Sequence, residues 1–174
     1  KLEEEAKKEH PQKLRYVLRD LATQEGAFAY EYTGYLANIY SVETYYRSNI
    51  DMLESKKFYS LFSPNQKIYT KVKNEEPTYY AESSKVSRSQ FASGSIVEGE
   101  VINSVISRNT KIKTGSSVKH SVLFPRVKVG ENATVEYAIV DKGVEIGEGV
   151  VIRGTAEDPI VVKKGQKVTE DIIR

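Results

Sequence analysis

Residues 101–151 read VINSVISRNTKIKTGSS, VKHSVLFPRVKVGENAT and VEYAIVDKGVEIGEGVV when broken every seventeen residues, and the three lines superpose. Val101, Val118, Val135 and Ile152 fall in one column, and Ser104, Ser121 and Ala138 in another. Val105, Val122 and Ile139 make a third, Ile106, Leu123 and Val140 a fourth, Thr110, Val127 and Val144 a fifth, and Ile112, Val129 and Ile146 a sixth. Independent columns in one register mark a stack of structural repeats. Within a repeat the apolar residues are spaced six, five and six apart, as at Val129, Val135, Val140 and Ile146. Three short strands per turn, each sending one aliphatic inward, account for this spacing. Gly94, Gly115, Gly130, Gly143, Gly147 and Gly149 suit the corners between strands. The pattern predicts a coiled parallel β-solenoid over roughly residues 93–168 with about four rungs, each burying its aliphatics on the next. Pro159 to Val168 is expected to close the last rung as an edge strand.

Upstream the period changes. Residues 1–9 are a mixed-charge helical run broken at His10-Pro11, and Leu14, Val17, Leu18 and Leu21 share one face of a helix over Gln12–Leu21. Gly26 punctuates the chain. Phe28, Tyr30 and Tyr32 then alternate with Ala29 and Glu31, which predicts a short strand. Ser41 is placed to cap a helix with the apolar stripe Val42, Tyr45, Tyr46, Ile50 and Leu53, ending before Pro64. The stretch 63–84, with Pro64 and Pro77, reads as a connector. The tyrosines Tyr30, Tyr32, Tyr35, Tyr40, Tyr45 and Tyr46 are expected to pack into one core with this strand and helix, a simpler account than stacking on a base.

The chain has 174 residues and no cysteine, which excludes disulfides, thiolate metal sites and a cysteine nucleophile. No run of eighteen apolar residues and no signal-peptide pattern is present, so a cytoplasmic location is the default expectation. Its 26 basic and 24 acidic residues are interspersed, which argues against a nucleic-acid stripe. The start, Lys1-Leu2-Glu3, falls inside a helical run without Met, so a piece of a longer protein is expected.

The ordered segments Gly34-Tyr35-Leu36-Ala37-Asn38-Ile39-Tyr40-Ser41-Val42-Glu43-Thr44-Tyr45-Tyr46, Asn49-Ile50-Asp51-Met52-Leu53, Ile68-Tyr69-Thr70 and Pro77-Thr78-Tyr79-Tyr80, followed by hexapeptide rungs, resemble the C-terminal part of bacterial glucose-1-phosphate adenylyltransferase. The resemblance runs from about Arg15 onward. It implies a mainly β fold: a left-handed parallel β-helix over 85–174, a connector over 63–84, and over 1–62 a small α/β remnant of a nucleotidyltransferase domain. In that family ATP and magnesium serve the reaction. The Gly-rich triphosphate loop has no counterpart here, and no cofactor is expected within these residues. Where the family has a magnesium-binding Asp this chain has Asn38, with Leu36 and Tyr40 replacing a Trp and a Gly. A neutral amide does not balance a divalent charge. The departure is similar to the non-catalytic GlgD-type subunit, implying no catalytic residue here and a catalytic adenylyltransferase partner in a homo- or hetero-tetramer. An ordinary turn residue is the bland account of Asn38.

Anionic effectors are implied at a solenoid corner, where Asp141, Lys142 and Lys164 match family positions; exposed lysines are otherwise commonplace. Arg108, Arg126 and Lys128 are weaker candidates near corners. The alternative from another class is a hexapeptide acyltransferase with CoA as co-substrate and His120 as general base. His120 has no second histidine in the repeats, and His10 has no companion. No metal site, nucleic acid or membrane is expected.

Overall fold

The computed structural model describes residues 2–63, 68–70 and 73–174. The chain divides into two compact units, residues 1–33 and 34–174.

In the first unit, helix α1 (Leu2–Ala6) stops before Pro11 and α2 (Leu14–Glu25) follows. Of the predicted apolar face, Val17 is buried, whereas Leu14 and Leu18 remain largely exposed. The strand expected at Phe28–Tyr32 is not formed, and Phe28, Tyr30 and Tyr32 lie exposed. Alternation alone does not make a strand, because its backbone groups need a neighbouring ladder. The described part of this unit contains no strand to supply one.

In the second unit, α3 (Val42–Asp51) opens on Ser41 as predicted. Ser41 Oγ accepts from the Thr44 N–H at 3.1 Å, and Thr44 Oγ1 accepts from the Ser41 N–H at 3.0 Å. This reciprocal box satisfies donors that the first helical turn leaves open. The helix stops at Asp51, and a second one, α4 (Ser55–Leu61), follows after a turn. Residues 64–67 and 71–72 of the predicted connector, Pro64 included, lie outside the described residues. The solenoid begins earlier than residue 85, since Tyr79–Tyr80 already pairs in parallel with Ile96–Val97.

Every strand of the solenoid is short, and every pairing is parallel. They stack into three faces. The first runs from Tyr79–Tyr80 through Lys111–Ile112 and Glu145–Ile146 to Lys167–Val168. The second runs from Lys85–Ser87 to Ile172–Ile173, and the third from Gln90–Phe91 to Ile160–Val162. The predicted columns are the ladder partners: Val101 pairs with Val118, Val118 with Val135 and Val135 with Ile152. Their side chains point inward with Ile106, Leu123, Val140, Ile112, Val129 and Val127 and are fully buried.

The coil is longer than the predicted rungs, with sheets of six, six and five strands among the described residues. The seventeen-residue period breaks at both ends. Val86 pairs with Val101 and Ile139 with Val161, so one corner is shortened and another carries extra residues. Pro159 to Val168 therefore contributes strands to a further coil as well as an edge.

Corners are held by more than glycine. Asn103, His120 and Tyr137 occupy one corner in successive coils with φ of 49°, 46° and 48°. Such left-handed geometry is costly for bulky residues and persists only where neighbours enforce it. Here the enforcement is visible: Asn103 Nδ2 lies 2.8 Å from His120 Nδ1, and the His120 and Tyr137 rings stack at 4.8 Å. Immediately after this corner, Ser104 and Ser121 are fully buried. The Ser121 N–H donates to Ser104 Oγ and the Ala138 N–H to Ser121 Oγ, each at 3.1 Å.

Helix α3 lies on the outer side of the third face. Tyr46 is buried there against Val122 and Ile139, with Tyr45 stacked on Phe124. Tyr46 and, in part, Tyr45 thus form part of the expected aromatic core, whereas Tyr30, Tyr32 and Tyr40 are exposed.

Candidate functional site at a basic corner of the solenoid

A second corner carries Gly94, Asn109, Arg126, Gly143 and Gly165, all at positive φ. At Gly94 a side chain would also collide, since a Cβ would lie 2.2 Å from Asn109 Oδ1. Backbone bonds tie each coil here to the one before: Arg126 N–H to Arg108 O, Gly143 N–H to Pro125 O and Gly165 N–H to Lys142 O. Lys142 and Lys164 therefore stand at one corner in consecutive coils, about 4.8 Å apart along the stack. Both are exposed. Asp141 serves the turn: its Oδ1 accepts from the Lys142 N–H at 2.6 Å.

The corner borders a groove of about 310 Å³ lined by Lys73, Glu75, Arg108, Asn109, Arg126 and Lys142 among others. Glu75 Oε2 is 3.2 Å from Arg108 Nε, and Glu75 Oε1 accepts from Asn109 Nδ2 at 3.3 Å. Arg108 and Arg126, near corners by sequence, join Lys142 here. Lys128 does not. It projects from the first face and pairs with Glu145 at 2.7 Å, and this Lys128 contact is the main cause holding the Glu145 carboxyl below its ordinary range. Lys73 and Glu75 were not legible as site residues, because the segment before the first coil has no repeat to place it.

Asn38 is exposed in the loop before α3, beside a hollow of about 190 Å³ bordered by Tyr35, Thr44, Arg47, Ser48 and Asp51. Asp51 is already engaged: Lys57 Nζ donates to its Oδ1 at 2.7 Å and Tyr35 Oη to its Oδ2 at 3.0 Å. The Asp51 contact leads in raising Lys57 above its ordinary value; burial, then Asp51, raises Tyr35. A neutral amide, a guanidinium and an occupied carboxylate do not suit magnesium, which takes carboxylate and phosphate oxygens. Among the described residues no group of three His, Asp or Glu converges on a possible metal position.

His120 is committed to structure. Its ring stacks on Tyr137 with Nδ1 at 2.8 Å from Asn103 Nδ2, and its carbonyl accepts from Tyr46 Oη at 2.7 Å. His10 lies exposed in the break after α1. No described helix is long and apolar enough to cross a membrane.

A profile of the family described as GlmU-like, C-terminal hexapeptide, matches residues 71–173. The chain belongs to this family. Among its relatives, the glycogen biosynthesis protein GlgD of Bacillus subtilis (strain 168) is 41% identical over 136 residues, 78% of this chain and 40% of that protein. GlgD of Geobacillus stearothermophilus is 50% identical over 73% of this chain and 37% of that protein. The glucose-1-phosphate adenylyltransferase of Mycoplasma mobile is 35% identical over 57% of this chain and 25% of that protein. The chain thus spans about two-fifths of the length of the GlgD relatives. The acetyltransferase domain of PglB from Neisseria gonorrhoeae, solved with acetyl coenzyme A, reaches a TM-score of only 0.26 at 17% identity over 57% of this chain and 52% of that one.

Proposed function

We propose that this chain is the C-terminal part of a GlgD-type subunit of the glucose-1-phosphate adenylyltransferase system of glycogen biosynthesis, serving assembly and control and working in the cytoplasm. The observation that carries this reading is the reach of the likeness to GlgD. It covers 78% of the chain, more than the hexapeptide repeats at 71–173 supply, so the helical segment before the solenoid shares it.

On this reading the chemistry belongs to a catalytic homologue. Glucose 1-phosphate attacks the α-phosphorus of ATP in line and pyrophosphate leaves, with magnesium neutralising charge on the partner. This chain contributes a rigid stack and a charged corner. Asp141 sets the turn that displays Lys142, and Lys164 follows one coil later, so an effector carrying phosphate groups meets point charges at fixed spacing.

The test is co-assembly. Light scattering of an equimolar mixture of the full-length chain and a catalytic homologue is expected to give a hetero-oligomer, and two separate species would overturn the reading. The acyltransferase reading, with His120 as base, meets an imidazole stacked on one ring and bonded to Asn103. Titration with acetyl-CoA is expected to give no heat.

A further inference from the structure

The groove beside Lys142 already holds an anion of the chain's own. Glu75 sits in the segment leading into the first coil and turns its carboxylate into the corner. Its two contacts, 3.2 Å to Arg108 Nε and 3.3 Å from Asn109 Nδ2, are long for a carboxylate with a guanidinium and an amide. Oε2 is closed off from solvent, yet its approach to Arg108 lacks hydrogen-bond alignment. Glu75 therefore uses one edge of the Arg108 fork and leaves the parallel two-bond geometry unmade. Arg126, Lys142 and Lys73 line the same groove, and among the described residues none of them is in an ion pair. The groove thus keeps an excess of positive charge around one weakly held carboxylate.

The same short segment is tied to the corner at two further points. The Gly94 N–H donates to Glu76 O at 2.6 Å, and Thr78 Oγ1 donates to Ala92 O at 2.9 Å. An anion that competes for Arg108 therefore competes with the anchoring of residues 73–78.

We propose that the Glu75 carboxylate is the internal occupant of this corner, and that a phosphate-bearing ligand displaces it from Arg108 and loosens residues 73–78. The inference rests on the corner being the effector site, as proposed above. A phosphate carries more charge than a carboxylate and has oxygens enough for the Arg108 fork together with Arg126 and Lys142. While Glu75 is in place, the ligand's apparent affinity is lowered by the fraction of molecules in which the corner is free.

The experiment is calorimetric titration of the chain with inorganic phosphate, paired with hydrogen exchange at the Gly94 amide. The Glu75→Gln variant is expected to bind phosphate about tenfold more tightly than the natural chain, and Glu75→Asp, which withdraws the carboxylate, to move the same way. Gly94 exchange is expected to accelerate with phosphate in the natural chain and to be fast in Glu75→Gln without it. The Arg126→Ala, Lys142→Ala double variant is expected to lose binding in either background. Binding by Glu75→Gln alone also supports the proposal. Equal affinity of the natural chain and both Glu75 variants, with Gly94 exchange unmoved, overturns the proposal and leaves the effector corner standing. Absence of phosphate binding in every form, each shown to be folded by thermal unfolding, removes the corner reading and the proposal together.

Discussion

Tyr46 donates its phenolic hydrogen to the carbonyl oxygen of His120 across 2.7 Å, pinning α3 to the corner formed by Asn103, His120 and Tyr137. The bond satisfies a carbonyl at a left-handed corner, where the backbone is not free to turn toward another partner. Tyr46→Phe keeps the ring and removes the bond, so a loss of about 1 kcal/mol is expected in urea unfolding. Tyr46→Ala also opens a cavity under α3, and about 3–5 kcal/mol is expected, as for a buried aromatic.

The same residue predicts an alkaline limit. Burial, with the neighbouring Tyr137 adding to it, pushes the Tyr46 hydroxyl well above its ordinary value. A raised pKa means the folded state favours the neutral phenol, so its contribution is complete below about pH 10, the ordinary tyrosine value, and is lost as pH rises beyond it. Stability measured between neutral pH and pH 11 is expected to fall less steeply in Tyr46→Phe than in the natural chain. Parallel curves would show that Tyr46 is not the group responsible.

Ser121 offers a test of the internal serine ladder. Its hydroxyl donates to Lys119 O at 2.7 Å and accepts from the Ala138 N–H at 3.1 Å, in a fully buried position. Ser121→Ala leaves both backbone groups without that partner and is expected to cost about 1–3 kcal/mol. Ser117→Ala, which loses only a partly exposed bond to Glu100, is expected to stay within about 0.5 kcal/mol in the same denaturation series.

On the second face, the Lys119 ammonium is the main cause holding the Glu100 carboxyl below its usual range; Ser117 assists and burial opposes. A depressed carboxyl stabilises the fold above the ordinary glutamate value, and this is lost as pH falls through the folded-state value. The urea midpoint of Glu100→Gln is expected to lie below that of the natural chain at pH 7 and to converge with it near pH 3. A constant offset across that range would assign the effect to packing.

The solenoid was legible because its chemistry repeats. Each inward column asks only for an aliphatic at a fixed interval, and Val101 through Ile152 supply it without interruption. Where the interval changes, at the shortened corner before Val101 and the extended one after Arg153, the period hides coils that the backbone continues to build. The Ser41 cap was legible for the same reason, being a local rule. The failed strand at Phe28–Tyr32 shows the limit, since a ladder partner is not encoded in the strand itself. At the corner, Lys142 and Lys164 were singled out by resemblance, whereas Glu75 and Lys73 enter only through the path of the chain. Their role depends on which coil they reach, and no spacing rule relates them to Arg108.

Lys142 and Lys164 predict a charge-dependent response. On the proposed reading, in the complex with a catalytic homologue, Lys142→Ala with Lys164→Ala is expected to weaken the response to phosphate-bearing anionic effectors about tenfold, leaving the rate without effector unchanged. An unchanged effector response would leave the solenoid a role in assembly alone.

The most direct test of the central claim is the rate of ADP-glucose formation by a purified catalytic homologue with and without the full-length form of this chain. The account predicts that the chain alone forms no product from ATP and glucose 1-phosphate, and that adding it changes the homologue's rate or effector sensitivity. Turnover by the chain alone, abolished by substituting a residue within these 174, would contradict it.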